Sequence, residues 1–170
     1  MRRLLSRRVS YFQPNYEPVA RALRRYGRLQ LSSFDRRFKV AFELFTWLRG
    51  FGFRVSVASG SPSEYVVIRV QPNKTTVFWL HVVDDNGRCG LVISRYPVDQ
   101  TEPEEQVAGV LTVGVMGEFL GLLLSMREPC NEKLWPELPR GDFGQPWIPP
   151  LPDYQSILTE TLKRDRGLGF

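Results

Sequence analysis

The apolar pattern changes period at residue 53. Before it, hydrophobic residues recur with helical spacing. After it come four short blocks rich in Val, Ile and aromatics: FRVSVAS (53–59), EYVVIRVQ (64–71), TTVFWLHVV (75–83) and CGLVISRY (89–96). Blocks of this length, separated by GSPS, PNK and DDNG, read as β-strands joined by turns. Asn86-Gly87 between the last two is a strong hairpin signal, because both residues tolerate positive φ. The chain is therefore predicted to be α+β, a four-stranded antiparallel meander flanked by helices in the order α-α-β-β-β-β-α. At 170 residues it is long enough to bury a core of its own.

Two helices are predicted ahead of the strands. In the first, about 16–30, Asn15 is placed to cap and Pro18 falls in the first turn, where its missing N–H costs little. Val19, Ala22, Leu23 and Tyr26 share one face. Arg21, Arg24, Arg25 and Arg28 share the opposite one and read as a stripe without a compensating carboxylate. The second helix, about 33–49, carries Phe34, Phe38, Ala41, Phe42, Phe45 and Leu48 in one stripe, widened by Val40, Leu44 and Trp47. So broad an apolar surface predicts burial on most sides.

After the strands, Glu102, Glu104 and Glu105 predict the first turn of a long helix over about 102–126, since carboxylates favour the positive end of a helix dipole. Its body, VAGVLTVGVMGEFLGLLLSM, has the length of a membrane span, but Glu118 lies near the middle and four glycines dilute its hydrophobicity. A buried core helix packed closely on the sheet through Gly109, Gly114, Gly117 and Gly121 is the preferred reading. Beyond it, seven prolines in residues 128–154 rule out continuous helix or strand. Trp135, Phe143, Trp147 and Ile148 predict an extended strap lying on a surface, its own or a partner's, and are the candidate partner-binding residues, ahead of a short helix at 153–164. Three regions follow: a basic arm (1–15), an α+β domain (16–127) and a Pro-rich strap with its terminal helix (128–170).

Charge is unevenly placed. Residues 1–39 hold 11 basic and 2 acidic groups, a net of +9, and the remaining 131 residues hold 12 basic and 16 acidic, a net of −4. Nineteen of the 23 basic residues are Arg, whose rigid five-donor fork suits phosphate. Arg2, Arg3, Arg7 and Arg8 form the arm, and Arg36, Arg37 and Lys39 carry the positive character into the second helix. The opening MRRLLSRRVSYF is Arg-rich, Ser-containing and acid-free, as transit peptides are.

Catalytic signatures are lacking. There is no P-loop, GxGxxG, GxSxG or CxxC, and Cys89 and Cys130 form neither a disulfide framework nor a metal pattern. His81, the one histidine, reads as a residue on a sheet face, and Asp84, Asp85 and Asp99 as turn and strand-end residues. Tyr65, Trp79 and His81 share a side if Phe78, Leu80 and Val82 face the core. They could stack on unpaired bases, but packing under the second helix is the more economical reading.

These features predict a non-enzymatic assembly subunit of a larger complex, without cofactor or metal. It would contact RNA or another phosphate-rich surface through Arg2, Arg3, Arg7, Arg8, Arg21, Arg24, Arg25, Arg28, Arg36 and Arg37. Its other partners would be protein subunits, and a mitochondrial matrix or other reducing compartment fits its composition. An accessory subunit of a membrane complex with 107–126 in or near the bilayer, and a small protein-binding regulator without nucleic acid, are the alternatives.

Overall fold

The strand blocks pair in sequence order. β1 (Arg54–Ser59), β2 (Val66–Gln71), β3 (Thr76–Asp85), β4 (Arg88–Pro97) and a fifth strand, β5 (Glu105–Val110), form a single antiparallel meander, β1-β2-β3-β4-β5. The structure is a computed structural model and describes residues 15–26, 34–59, 65–128, 135–141 and 144–168. Four helices complete the fold: α1 (Glu17–Tyr26), α2 (Phe34–Arg49), α3 (Val113–Met126) and α4 (Tyr154–Leu168). Asn86 and Gly87 turn β3 into β4 with φ of 51° and 86°, as the hairpin signal requires.

The fifth strand corrects the expected four. Residues 102–126 are not one helix. The chain enters β5, leaves the sheet at Leu111, and starts α3 where Thr112 caps it by accepting from the Val115 N–H at 3.1 Å. The glutamates do not serve a helix dipole. Arg95 pairs Glu104 at 3.4 Å and Arg164 pairs Glu105 at 3.7 Å, so these carboxylates bind β5 to its neighbours. Val107 faces one side of the sheet and Ala108 the other, each against a separate apolar cluster, which is the demand of a strand and not of a helix. The apolar run over 107–126 is thus divided between a strand and a helix of 14 residues. Among the described residues no helix is long and apolar enough to cross a membrane.

The main core lies on one face of the sheet. Val66, Ile68, Val70, Phe78, Leu80, Val82, Leu91 and Ile93 meet Val40, Ala41, Leu44 and Leu48 of α2 and Met116, Phe119, Leu120 and Leu123 of α3. The Phe119 ring stands edge-on to Phe78 with centroids 5.3 Å apart. Gly117 of α3 serves α1's entry segment instead of the sheet: a Cβ there would lie 2.9 Å from the Tyr16 hydroxyl. Asn73 fastens the β2–β3 turn to the end of α3. Its Oδ1 accepts the backbone N–H groups of Thr75 and Thr76, and its Nδ2 donates to the Met126 carbonyl at 3.0 Å.

The opposite face is covered by the carboxy-terminal third. Tyr65, Val67, Val77, Trp79 and Tyr96 pack under Leu138, Trp147 and Ile148 of the strap, while Val92 and Ala108 pack under Tyr154, Ile157 and Leu158. The second helix does not lie here, since α2 and α3 share the other face. Two parts of the strap are tied together: Gly141 N–H donates to the Gln145 carbonyl at 2.7 Å and Trp147 N–H to the Pro139 carbonyl at 3.1 Å. Helix α4, capped by Asp153, also seals the β5 edge. Thr161 Oγ1 accepts the Ala108 N–H at 3.1 Å and Arg164 donates to the Gln106 carbonyl at 2.9 Å, so these two backbone groups are closed to strand addition.

Candidate anion-binding surfaces

Helix α1 is anchored before it presents charge. Asn15 Oδ1 accepts the Glu17 N–H at 3.0 Å, the Asn15 carbonyl accepts from Trp47 Nε1 at 2.8 Å, and Tyr16 lies against Trp47 with centroids 5.9 Å apart. Val19 and Ala22 are buried against the body, so the helical period turns Arg21, Arg24 and Arg25 outward, where all three are exposed. One part of the expectation is corrected. The stripe has a carboxylate of its own chain: Glu17 accepts from Arg24 at 2.5 Å, seven residues on, across two helical turns. Both side chains are well exposed, so this pair is screened and of small energy. Arg37 follows on α2 and is half-buried. Arg2, Arg3, Arg7, Arg8 and Arg28 lie outside the described residues, and Arg36 is defined only by its place in the first turn of α2.

The breadth of α2's apolar surface exceeds what the body covers. Val40, Ala41, Leu44, Trp47 and Leu48 face inward, but Phe38 and Phe42 are 39% and 50% exposed. With Phe45 and Arg49 they form a ladder along the helix. Phe38 and Phe42 stack at 6.5 Å, Phe42 and Phe45 lie 5.8 Å apart, and the Arg49 guanidinium sits 5.8 Å over the Phe45 ring.

The aromatic sheet face is closed. Tyr65, Trp79 and His81 do share one side, but Trp79 is 3% and His81 1% exposed, so neither can stack on a base. The Trp147 ring stands edge-on to both Trp79 and Tyr96, with centroids 6.0 and 5.6 Å away, and the Tyr65 hydroxyl donates to the Pro149 carbonyl at 2.8 Å. The surface under Trp147 and Ile148 is therefore the chain's own sheet. Trp135 is half-buried beneath Arg54, and Phe143 lies outside the described residues.

His81 has no hydrogen-bond partner on either ring nitrogen. Burial, the larger influence, lowers its pKa to about 4 against the opposing effect of the Pro149 carbonyl. A neutral imidazole sealed under a strap cannot exchange protons with a bound substrate. Cys89 is buried and its thiol is pushed up to about 12, by desolvation first and the Asp84 charge second, so it is a poor nucleophile. Asp85 is engaged by the Tyr154 hydroxyl at 3.0 Å and by Arg88 at 3.1 Å. Among the described residues no group of three His, Cys, Asp or Glu side chains is placed to hold a metal ion.

A second set of arginines escaped the reading of the sequence. Arg54 and Arg69 lie on neighbouring strands, on the face that the strap covers. They border a cavity of about 250 Å³ whose other walls are Glu137, Leu138, Pro139, Arg140 and Pro146. The signal was available in phase alone. In the β1–β2 register Arg54 pairs Gln71 and Ser56 pairs Arg69, which sets both arginines on the side opposite Val70 and Ile68. A broader acidic groove of about 670 Å³ lies between β5 and α4, lined by Glu104, Glu105, Glu160 and Arg164 among others.

No known family matches the sequence, and no curated protein or solved structure matches the chain.

Proposed function

We propose that this protein is a non-enzymatic binding subunit that docks a phosphate-rich partner, RNA in the leading case, through the arginine face of α1. The observation that carries the reading is the orientation of that helix. Its apolar side is fixed to the body by Val19 and Ala22, and its exposed side holds Arg21, Arg24 and Arg25, of which Arg24 pairs with Glu17. A rigid row of guanidinium groups neutralises backbone phosphates and releases their counterions, without reading base sequence. The aromatic ladder of Phe42, Phe45 and Arg49 beside it suits a subunit whose remaining surface meets protein neighbours.

The test is a salt titration of single-stranded RNA binding with the full chain. Wild type is expected to lose affinity steeply as salt rises. The Arg21→Gln, Arg24→Gln, Arg25→Gln triple variant should bind more weakly and show a slope shallower by about 2, because each phosphate left without its arginine takes about 0.7 off the slope. An unchanged slope with unchanged affinity would remove RNA from the account.

A further inference from the structure

We propose that Arg54, Arg69 and Arg140 form a binding site for a phosphate-type oxyanion, either free or as the terminal phosphoryl group of a small phosphomonoester. The site is independent of the α1 face. It lies on the opposite side of the sheet, between β1–β2 and the folded strap.

Three observations converge there. First, positive charge is concentrated without matching acid. Among the described residues no carboxylate lies within ion-pair distance of Arg54 or Arg69. Arg54 donates to the Gln71 Oε1 at 3.5 Å and lies over the Trp135 ring. Arg140 is held by the Gly144 carbonyl at 3.5 Å and by Glu137 at 3.8 Å, and among the described residues Glu137 is the single acid in the cavity wall. Among the described residues, three guanidiniums thus face one carboxylate there. The repulsion is felt: burial first, and the Arg54 charge second, depress the proton affinity of Arg69.

Second, the residues that flank the two strand arginines, behind the cavity wall, carry unsatisfied donors. Gln71 Nε2, cross-strand from Arg54, has no acceptor. Neither has Trp79 Nε1, cross-strand from Arg69, nor Trp135 Nε1, whose ring lies 5.9 Å under Arg54. Donors outnumber acceptors in this corner, and a phosphate brings several oxygens, each with lone pairs for such donors. Third, the cavity of about 250 Å³ is smaller than the usual range for drug-sized ligands but roomy enough for a tetrahedral oxyanion. The strap holds Arg140 in place, since residue 140 bridges 146 in the small hairpin.

The experiment uses the full chain in thermal melts and isothermal titration. Sodium phosphate and ribose 5-phosphate are separate probes, each set against sodium chloride at equal ionic strength. A saturable, probe-specific rise in Tm is expected, growing with the logarithm of concentration. Response to inorganic phosphate alone identifies a free anion, and response to ribose 5-phosphate alone identifies a phosphomonoester. Arg69→Met should weaken binding at least tenfold while raising the Tm without phosphate, because it removes a part-buried unpaired cation. Arg54→Gln, on an edge strand, should weaken binding without threatening the fold. The Arg21, Arg24, Arg25 triple variant should bind phosphate as wild type does, so failure of RNA docking and failure of this site are separable. A Tm rise matched by chloride, or wild-type affinity in both Arg69→Met and Arg54→Gln, overturns the proposal.

Discussion

His81 shows how far a single residue's surroundings decide its chemistry. An imidazole in water titrates near 6.5; at 1% exposure and with both nitrogens unpartnered, this one titrates at about 4. The folded protein therefore holds His81 neutral at pH values where the unfolded chain binds a proton. Stability is complete above pH 6.5 and is lost as pH falls from 6.5 towards 4, by roughly 3 kcal/mol from this group. Across that window wild type should lose urea midpoint relative to His81→Leu as pH falls, the variant showing the shallower pH dependence. Parallel curves would show that the histidine is not a source of acid sensitivity. In sequence, His81 could be placed on a sheet face from its alternation with Leu80 and Val82. Its isolation under Tyr65 and Pro149 depends on a segment 68 residues further on and had no local signal.

Element packing turns on close approaches that composition does not reveal. Helix α4 reaches β4 because Gly90 has no side chain. A Cβ there would lie 2.8 Å from Val83 Cγ2 and 3.0 Å from the Tyr154 ring. The gap lets the Tyr154 hydroxyl meet buried Asp85 at 3.0 Å; desolvation first, and this carboxylate second, raise the tyrosine pKa to about 12. Gly90→Ala is expected to cost about 1–3 kcal/mol by overpacking, read as a lower urea midpoint with an unchanged m-value. A neutral substitution would mean that α4 can slide to make room. The same scale explains the misread fifth strand. Glu102, Glu104 and Glu105 ahead of an apolar run look like a helix start. The outcome was decided by pairing with β4, where Arg95 opposes Glu105 and Ile93 opposes Val107.

The whole molecule is a sheet with two unlike covers. Helices α1, α2 and α3 form one, from sequence on either side of the strands. The strap and α4 form the other, drawn from the last part of the chain. The strap is thus a structural layer, and its prolines suit a segment that packs by side chains while forming little ladder. A chain cut after Glu128 should expose Val77, Trp79 and Tyr96 as an apolar patch on the open face. It is expected to bind the dye ANS more strongly than the full chain and to self-associate more readily in sedimentation. A truncated chain that stays monomeric and dye-silent would show that the second cover contributes little. Both proposed anion sites sit on opposite sides of this layered body, so a large polyanion on α1 leaves the Arg54–Arg69 cavity accessible.

Local physics sufficed for much of this architecture. The change of hydrophobic period at residue 53 specified helices then strands. Asn86-Gly87 specified a hairpin through its positive φ, and the phase of α1 specified which arginines face away from its apolar side. Each of these depends on residues only a few positions apart. Tertiary contact decided the rest: the strand at 105–110, the pairing of Glu17 with Arg24 across two turns, the exposure of Phe42, and the meeting of Arg54, Arg69 and Arg140 around one cavity. A residue's period says which way it points, but only the packed chain says what stands there to meet it.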